Sequence, residues 1–253
     1  MRIVAFVDLD DTLFQTASKC PPGEKIPVAF RRDGSPLSYM VPWQKTLFDW
    51  LSASATLIPV TARNLDAFRR VQLPFRSLAV LDFGGVILLP DGSPDAAWDA
   101  RVRPALLACE AELLRLQRLC QEFSQRQALE VSVRLIRDLD LPLYLVMKHP
   151  GGDASRLLPF LEGPLAEVNR QAFFVHHNDN NLSLVPRHLG KEKAVQYLLQ
   201  THLAGEPCVT LGLADSFTDA EFLALCNVQM TPRGSQFAEA LRKRLEFFGE
   251  AGE

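Results

Sequence analysis

Ile3-Val4-Ala5-Phe6-Val7 is an unbroken apolar run rich in β-favouring residues, the pattern of a strand buried on both faces, and it stops at the polar segment Asp8 to Thr12. Two further runs have the same form. Thr56 to Val60 gives way to Thr61-Ala62-Arg63, and Cys208 to Leu213 gives way to Asp215-Ser216-Phe217-Thr218-Asp219. Helix-like stretches fall at Pro42 to Ser52, Asn64 to Val71, Lys191 to Leu203 and Ala220 to Leu225. Strands alternating with helices predict a doubly wound, mainly parallel α/β sheet. Ligands of such sheets bind outside the carboxyl ends of the strands, so the three polar clusters are expected to meet at one rim.

The pattern changes after Asp91. Leu106, Leu107, Leu113, Leu114, Leu116 and Leu119 predict one long amphipathic helix within Pro94 to Gln127. Leu129, Val131, Val133 and Leu135 then alternate with Glu130, Ser132 and Arg134, as in a strand with one solvated face, and Leu143 to Lys148 predicts a second strand. A helix from an Asp153 N-cap to Val168 precedes Phe173 to Val175, a turn around Asn178 to Asn181, and Ser183 to Val185. This α-β-β-α-β-β order predicts an inserted α+β domain. Pro90 to Pro94 and Pro186 to Gly190 are the natural linkers, which assigns 1–90 and 187–253 to the core and 91–186 to the insertion.

Composition narrows the partners. A formal charge of -3 over 253 residues offers no general basic field for nucleic acid. Cys20, Cys109, Cys120, Cys208 and Cys226 are odd in number and lack CxxC spacing, which argues against a disulfide framework or a zinc site. Only five apolar residues separate Arg2 from Asp8, too few for a secretory or membrane segment, so the expected compartment is the cytoplasm. Oligomeric state is not legible.

Hydrolysis of a phosphate ester through a covalent intermediate needs a carboxylate nucleophile, a proton donor for the leaving oxygen, groups for the phosphoryl oxygens and a hard metal ion. Asp8 and Asp10, two residues apart at a strand end, suit attack and proton transfer respectively. Alone, such a segment also reads as an ordinary aspartate-rich turn. The further hydroxyl cluster, the downstream lysine and the second acidic cluster make the joint pattern specific. Asp215 and Asp219, four apart, allow one to bind metal while the other orients a metal-bound water or Lys191, although Asp219 also reads as an N-terminal helix cap.

Asp8-Leu9-Asp10-Asp11-Thr12, Thr61, Lys191, and Asp215 with Asp219 resemble the four motifs of the haloacid dehalogenase-like hydrolase superfamily. The insertion resembles the large cap of the branch holding the Cof-type, sucrose-phosphate and mannosyl-3-phosphoglycerate phosphatases. The resemblance implies a Rossmann-like core with an α+β cap domain, and a magnesium-dependent phosphoric monoester hydrolase that forms an aspartyl-phosphate on Asp8. It further implies Mg2+ shared by Asp8, Asp215 and the backbone carbonyl of Asp10, the Asp10 side chain as general acid and then base, and Thr61 on a phosphoryl oxygen. Lys191 precedes Ala194 by three residues, as the lysine does in this branch's Lys-Gly-x-Ala pattern; Lys193 is its rival. Arg63 fits contact with the phosphate or the cap as well as it fits a surface cation. Arg134, Lys148 and His177 are candidate substrate contacts in the cap, with His149, His176 and Asn178 near them. Asp11 stands where many relatives have glycine, Ala214 replaces the usual glycine before Asp215, and Thr218 a frequent asparagine. The implied partner is a small phosphorylated metabolite, with a sugar phosphate favoured. The same motifs serve a phosphotransferase or mutase, and a non-catalytic phosphometabolite-binding protein is the alternative from another class.

Overall fold

The computed structural model describes residues 2–250. In chain order, β1 (Arg2–Val7) is followed by three short strands, β2 (Gln15–Thr16), β3 (Ile26–Phe30) and β4 (Pro36–Met40), then α1 (Pro42–Ser54), β5 (Thr56–Pro59), α2 (Leu65–Phe68), β6 (Ala79–Leu81) and β7 (Val86–Leu88). The insertion holds α3 (Ala96–Ala108), α4 (Glu110–Arg126), β8 (Ser132–Asp138), β9 (Leu141–Lys148), α5 (Leu158–Glu162), β10 (Phe173–Asn178) and β11 (Asn181–Pro186). The chain then returns through α6 (Lys191–Gln200), β12 (Cys208–Leu213), α7 (Ala220–Leu223), β13 (Val228–Met230) and α8 (Gln236–Glu250). Ala96–Gly190 forms one compact unit, and the flanking chain through Asp95 and from Lys191 forms the other. No helix among the described residues is long and apolar enough to cross a membrane.

The core sheet has the order β13-β12-β1-β5, with every pairing parallel. β1 is interior to this sheet, which accounts for its unbroken apolar run: Val4, Phe6 and Val7 have no exposed surface. In register, Val7 lies opposite Leu213 on one side and Pro59 on the other, so Asp8, Asp215 and Thr61 all follow strands that end level with one another. Pro59 is the last residue of β5 and does not interrupt the ladder, because the next N–H, of Val60, donates to the Val7 carbonyl at 2.8 Å. Beneath the rim, Val7, Leu9, Leu13 and Phe14 join Phe48 and Leu51 of α1 in a closed apolar cluster.

Two features of the core escape the sequence pattern. β2, β4 and β3 form an antiparallel sheet, and β6 and β7 form a hairpin. These strands are too short for alternation to register, and Pro27, Pro36 and shifts in the β3–β4 register disturb it further. The helix expected over Asn64 to Val71 shortens to α2. Its Asn64 cap is present, the side chain accepting from the Ala67 N–H at 3.1 Å, but Val71 leaves the helix to bridge Ala29.

The insertion holds its own antiparallel sheet of order β10-β11-β9-β8. Leu113, Leu116 and Cys120 of α4 cover one face, against Val133, Leu145, Met147, Leu182 and Leu184. The single long helix expected here is two helices. The chain tightens at Cys109, whose N–H is shared between the carbonyls of Ala105 and Leu106, and Leu107 and Leu114 are exposed rather than core. Asp153 caps as expected, accepting from the Ser155 N–H at 3.0 Å, but leads into a 3-10 turn and the five residues of α5 instead of a helix to Val168. Gly163-Pro164 ends that helix: Pro164 disfavours helical backbone at Gly163, and a Cβ on Gly163 would fall 2.8 Å from the Phe123 ring.

Candidate active site

The segment after β1 turns back on itself. Leu13 and Phe14 donate to the Leu9 carbonyl at 2.9 and 3.2 Å, and Asp11, with φ 63°, donates to the Phe14 carbonyl at 2.8 Å. Aspartate is among the residues that tolerate this left-handed backbone, so Asp11 can occupy a position usually held by glycine. Its carboxylate accepts from Lys19 Nζ at 2.6 Å. The turn aims the buried Thr12 hydroxyl at two carboxylates, with its Oγ1 3.0 Å from Asp8 Oδ2 and 3.2 Å from Asp215 Oδ1. Gln44 of α1 steadies the turn from the buried side, donating to the Thr12 carbonyl at 3.2 Å. Membership of the first motif alone assigns Thr12 no role. Its signal was the four-residue offset from Asp8 within a turn.

Lys191, the first residue of α6, joins two clusters. Its Nζ donates to Asp8 Oδ1 at 2.7 Å and to Asp219 Oδ1 at 2.6 Å, and all three residues are buried. Lys193 is exposed. Asp219 makes no helix cap through its side chain, and its partner is Lys191. One oxygen each from Asp8, Asp215 and Asp219 can be chosen so that all lie within 4.8 Å of one another.

Burial drives the electrostatics. It raises the Asp8 carboxyl well above the usual range; Lys191 pulls it down, while Asp219 and Asp215 push it up. Asp215 rises to about 6 through burial, with Asp11 and Asp219 adding to the effect. Asp219 is also raised by burial, against the pull of Lys191. Burial lowers the Lys191 ammonium, but Asp219 and Asp8 outweigh it and hold the proton more tightly than on a free lysine. Three carboxylates against one ammonium leave negative charge in a dry setting, and the donors are all oxygen. Both properties suit a hard divalent cation.

Asp10 lies outside this cluster. Its carboxylate, with 46% of the side chain exposed, is gripped by Arg63: Nε donates to Oδ2 and Nη2 to Oδ1, each at 2.7 Å. Arg63 is no surface cation, since only 11% of its side chain is exposed. Thr61 is buried beside it, and its Oγ1 accepts the Arg63 N–H at 3.1 Å.

The candidates in the insertion do not form one surface. Arg134 lies opposite Val146, Val146 opposite Ser183 and Ser183 opposite His176, and Lys148 shares that face by strand alternation. His177 lies opposite Leu182, itself opposite Met147, on the face turned to the apolar core of the insertion. His176, rather than His177, therefore shares a face with Arg134 and Lys148. His149 is held at a turn, its N–H donating to Asn180 Oδ1 at 2.9 Å.

No family model matches the sequence, and no curated protein is significantly similar to it. Solved structures do resemble it. The sucrose-phosphatase of Synechocystis sp. PCC6803, in complex with sucrose and phosphate, is 18% identical with a TM-score of 0.53, over 100% of this chain and 90% of that one. A Thermoplasma acidophilum protein is 14% identical with a TM-score of 0.55, over 93% and 87% of the two chains. A trehalose-6-phosphate phosphatase related protein is 15% identical with a TM-score of 0.51, over 98% of each chain. At these identities the likeness establishes the fold: a parallel α/β core interrupted by an α+β insertion.

Proposed function

We propose that this chain, which has the fold expected of haloacid dehalogenase-like hydrolases, is a magnesium-dependent phosphatase acting on a small phosphomonoester through an aspartyl-phosphate on Asp8. The observation that carries the proposal is Lys191 bridging Asp8 and Asp219 with Asp215 alongside, a joining of three sequence-distant clusters around one carboxylate. An Asp8 oxygen attacks phosphorus, the bond from phosphorus to the leaving oxygen breaks, and Asp10 gives that oxygen its proton. Water then attacks the phosphorus of the aspartyl-phosphate and gives a proton to Asp10, releasing phosphate and restoring the Asp8 carboxylate. Thr61 donates its hydroxyl to a phosphoryl oxygen, and Lys191 offsets the charge of the transferring group.

Asp8, Asp215 and the Asp10 carbonyl would hold Mg2+, with Asp219 orienting Lys191 and a bound water. The ion supplies charge neutralisation between the nucleophilic carboxylate and the phosphate. Lys191 engages Oδ1 of both Asp8 and Asp219, so we assign the second oxygen of Asp8, together with Asp215, to the ion. A sugar phosphate is the favoured substrate class, because two of the similar structures are described as a sucrose-phosphatase and a trehalose-6-phosphate phosphatase related protein. Arg134 and Lys148, on one face of the insertion sheet, are the substrate contacts we assign there. The cytoplasm is the compartment we assign.

The test is phosphate release from a panel of sugar phosphates, nucleotides and glycolytic esters, with magnesium and with chelator. Metal-dependent release that disappears in Asp8→Asn supports the proposal. Turnover of esters with transfer to a second hydroxyl and little free phosphate would point to a mutase instead, and ligand-induced stabilisation without turnover to a binding protein.

A further inference from the structure

We infer that Arg63 is a positioning residue for Asp10 and not a ligand of the phosphoryl group, an assignment that rests on the phosphatase reading above. A guanidinium has five N–H donors in a fixed plane. In Arg63 the Nε and one Nη2 donor are taken by the two oxygens of Asp10 at 2.7 Å each, the fork-to-fork geometry that fixes a carboxylate in plane as well as in place. Nη2 also approaches Ser38 Oγ at 3.4 Å, and Nη1 the Ala67 carbonyl at 3.5 Å. The guanidinium carbon lies 5.0 Å from the centre of the Phe14 ring, which covers one of its faces. The Nε–Nη2 edge is thus committed to Asp10, and the remaining Nη1 and Nη2 donors lie towards the Ala67 carbonyl and Ser38 Oγ.

Asp10 needs such a clamp. It sits in a tight turn with nearly half of its side chain exposed, where an aspartate otherwise samples several rotamers. Each carboxylate oxygen offers two acceptor positions, so the bidentate grip still leaves a lone pair on which Asp10 can carry the proton it gives to the leaving-group oxygen. The clamp is itself braced by the backbone: the Arg63 N–H donates to Thr61 Oγ1 at 3.1 Å, and the Arg63 carbonyl accepts from the Asp82 N–H at 3.0 Å. The first of these bonds has a second effect. With one Thr61 lone pair occupied by a backbone N–H, the hydroxyl keeps its own hydrogen to give to another acceptor. Residue 63 thus holds both Asp10, through its side chain, and Thr61, through its backbone.

The experiment compares wild type, Arg63→Gln, Arg63→Lys, Asp10→Asn and the double variant on an alkyl phosphate, which needs leaving-group protonation, and an aryl phosphate, which needs it far less. The constant for inhibition by inorganic phosphate is measured for each. Arg63→Gln is expected to lower kcat on the alkyl ester by about 100-fold and on the aryl ester by less than about 10-fold. Phosphate inhibition should stay within about twofold, Arg63→Lys should recover part of the loss, and Arg63→Gln should cost nothing further once Asp10 is Asn. Weakened phosphate inhibition with equal losses on both esters would make Arg63 a phosphate ligand and overturn the assignment. Equal losses that follow only a fall in Tm would reduce Arg63 to a structural role and overturn it too. A wild type inert towards every ester would overturn the phosphatase reading and this one together; an active wild type confines any failure to Arg63.

Discussion

The core and the insertion both carry polar side chains that the sequence marks out, yet only in the core do they converge. Asp8, Asp219 and Lys191 meet within 2.7 Å contacts although they come from the turn after β1, the turn after β12 and the start of α6. In the insertion, Arg134 and Lys148 stand on one face of a sheet while His177 belongs to the other. The difference has a physical source. A parallel sheet brings strand ends to one rim whatever the sequence between them, so residues that follow apolar runs are gathered by topology. On an antiparallel sheet, neighbouring residues point to opposite faces, and a one-residue choice decides which surface a side chain joins.

Breaking the core cluster should have the largest effect. Asp8→Asn is expected to lower phosphate release by about 10⁴-fold or more while circular dichroism remains unchanged, because the substitution removes the proposed nucleophile and keeps the side chain's shape. Lys191→Met should lower kcat by about 100-fold or more, and it leaves Asp8 and Asp219 buried without their counter-ion, at a cost of about 3–5 kcal/mol in stability measured by denaturant unfolding. Lys193→Met, an exposed neighbour, should change activity by less than about twofold. The reverse ranking would mean that the wrong lysine is in the site.

Magnesium should stabilise the protein in a pH-dependent way. Burial raises Asp215 from an ordinary value of 3.8 to about 6, so its protonated form favours the metal-free fold at low pH, and that contribution is lost as pH rises through about 6. A metal must displace this proton. The gain in Tm from magnesium should therefore be small at pH 5 and larger at pH 7, and a gain independent of pH would count against Asp215 as a ligand. The smallest contrast lies in the insertion: Arg134→Ala should raise KM by about tenfold, and His177→Ala by less than about twofold. Equal effects would mean that the two faces of that sheet do not differ in function.

How much of this was legible follows from the same contrast. β1, β5 and β12 could be read because each is an apolar run ending in polar residues, whereas Lys191 is marked out over Lys193 only by the resemblance of its spacing from Ala194 to the Lys-Gly-x-Ala pattern. The Asp10–Arg63 pair could not, since it links residues 53 apart through a turn whose shape only the folded chain defines. β2 is two polar residues long, β3 contains Pro27 and β4 opens on Pro36, so none shows a strand-like run. Leu107 and Leu114 counted toward a helical stripe, but the tightening at Cys109 divides that helix, and both residues face outward. Local pattern carries the elements and the residues at their ends; pairing between distant turns and the facing of single side chains require register.

The most direct test of the account is to quench a reacting mixture in acid and weigh the peptide that contains Asp8. A fraction of that peptide carrying one phosphoryl group, absent in Asp8→Asn, is the predicted result. Phosphate release by a wild type whose Asp8 peptide never carries the group, with Asp8→Asn still active, would contradict the covalent mechanism.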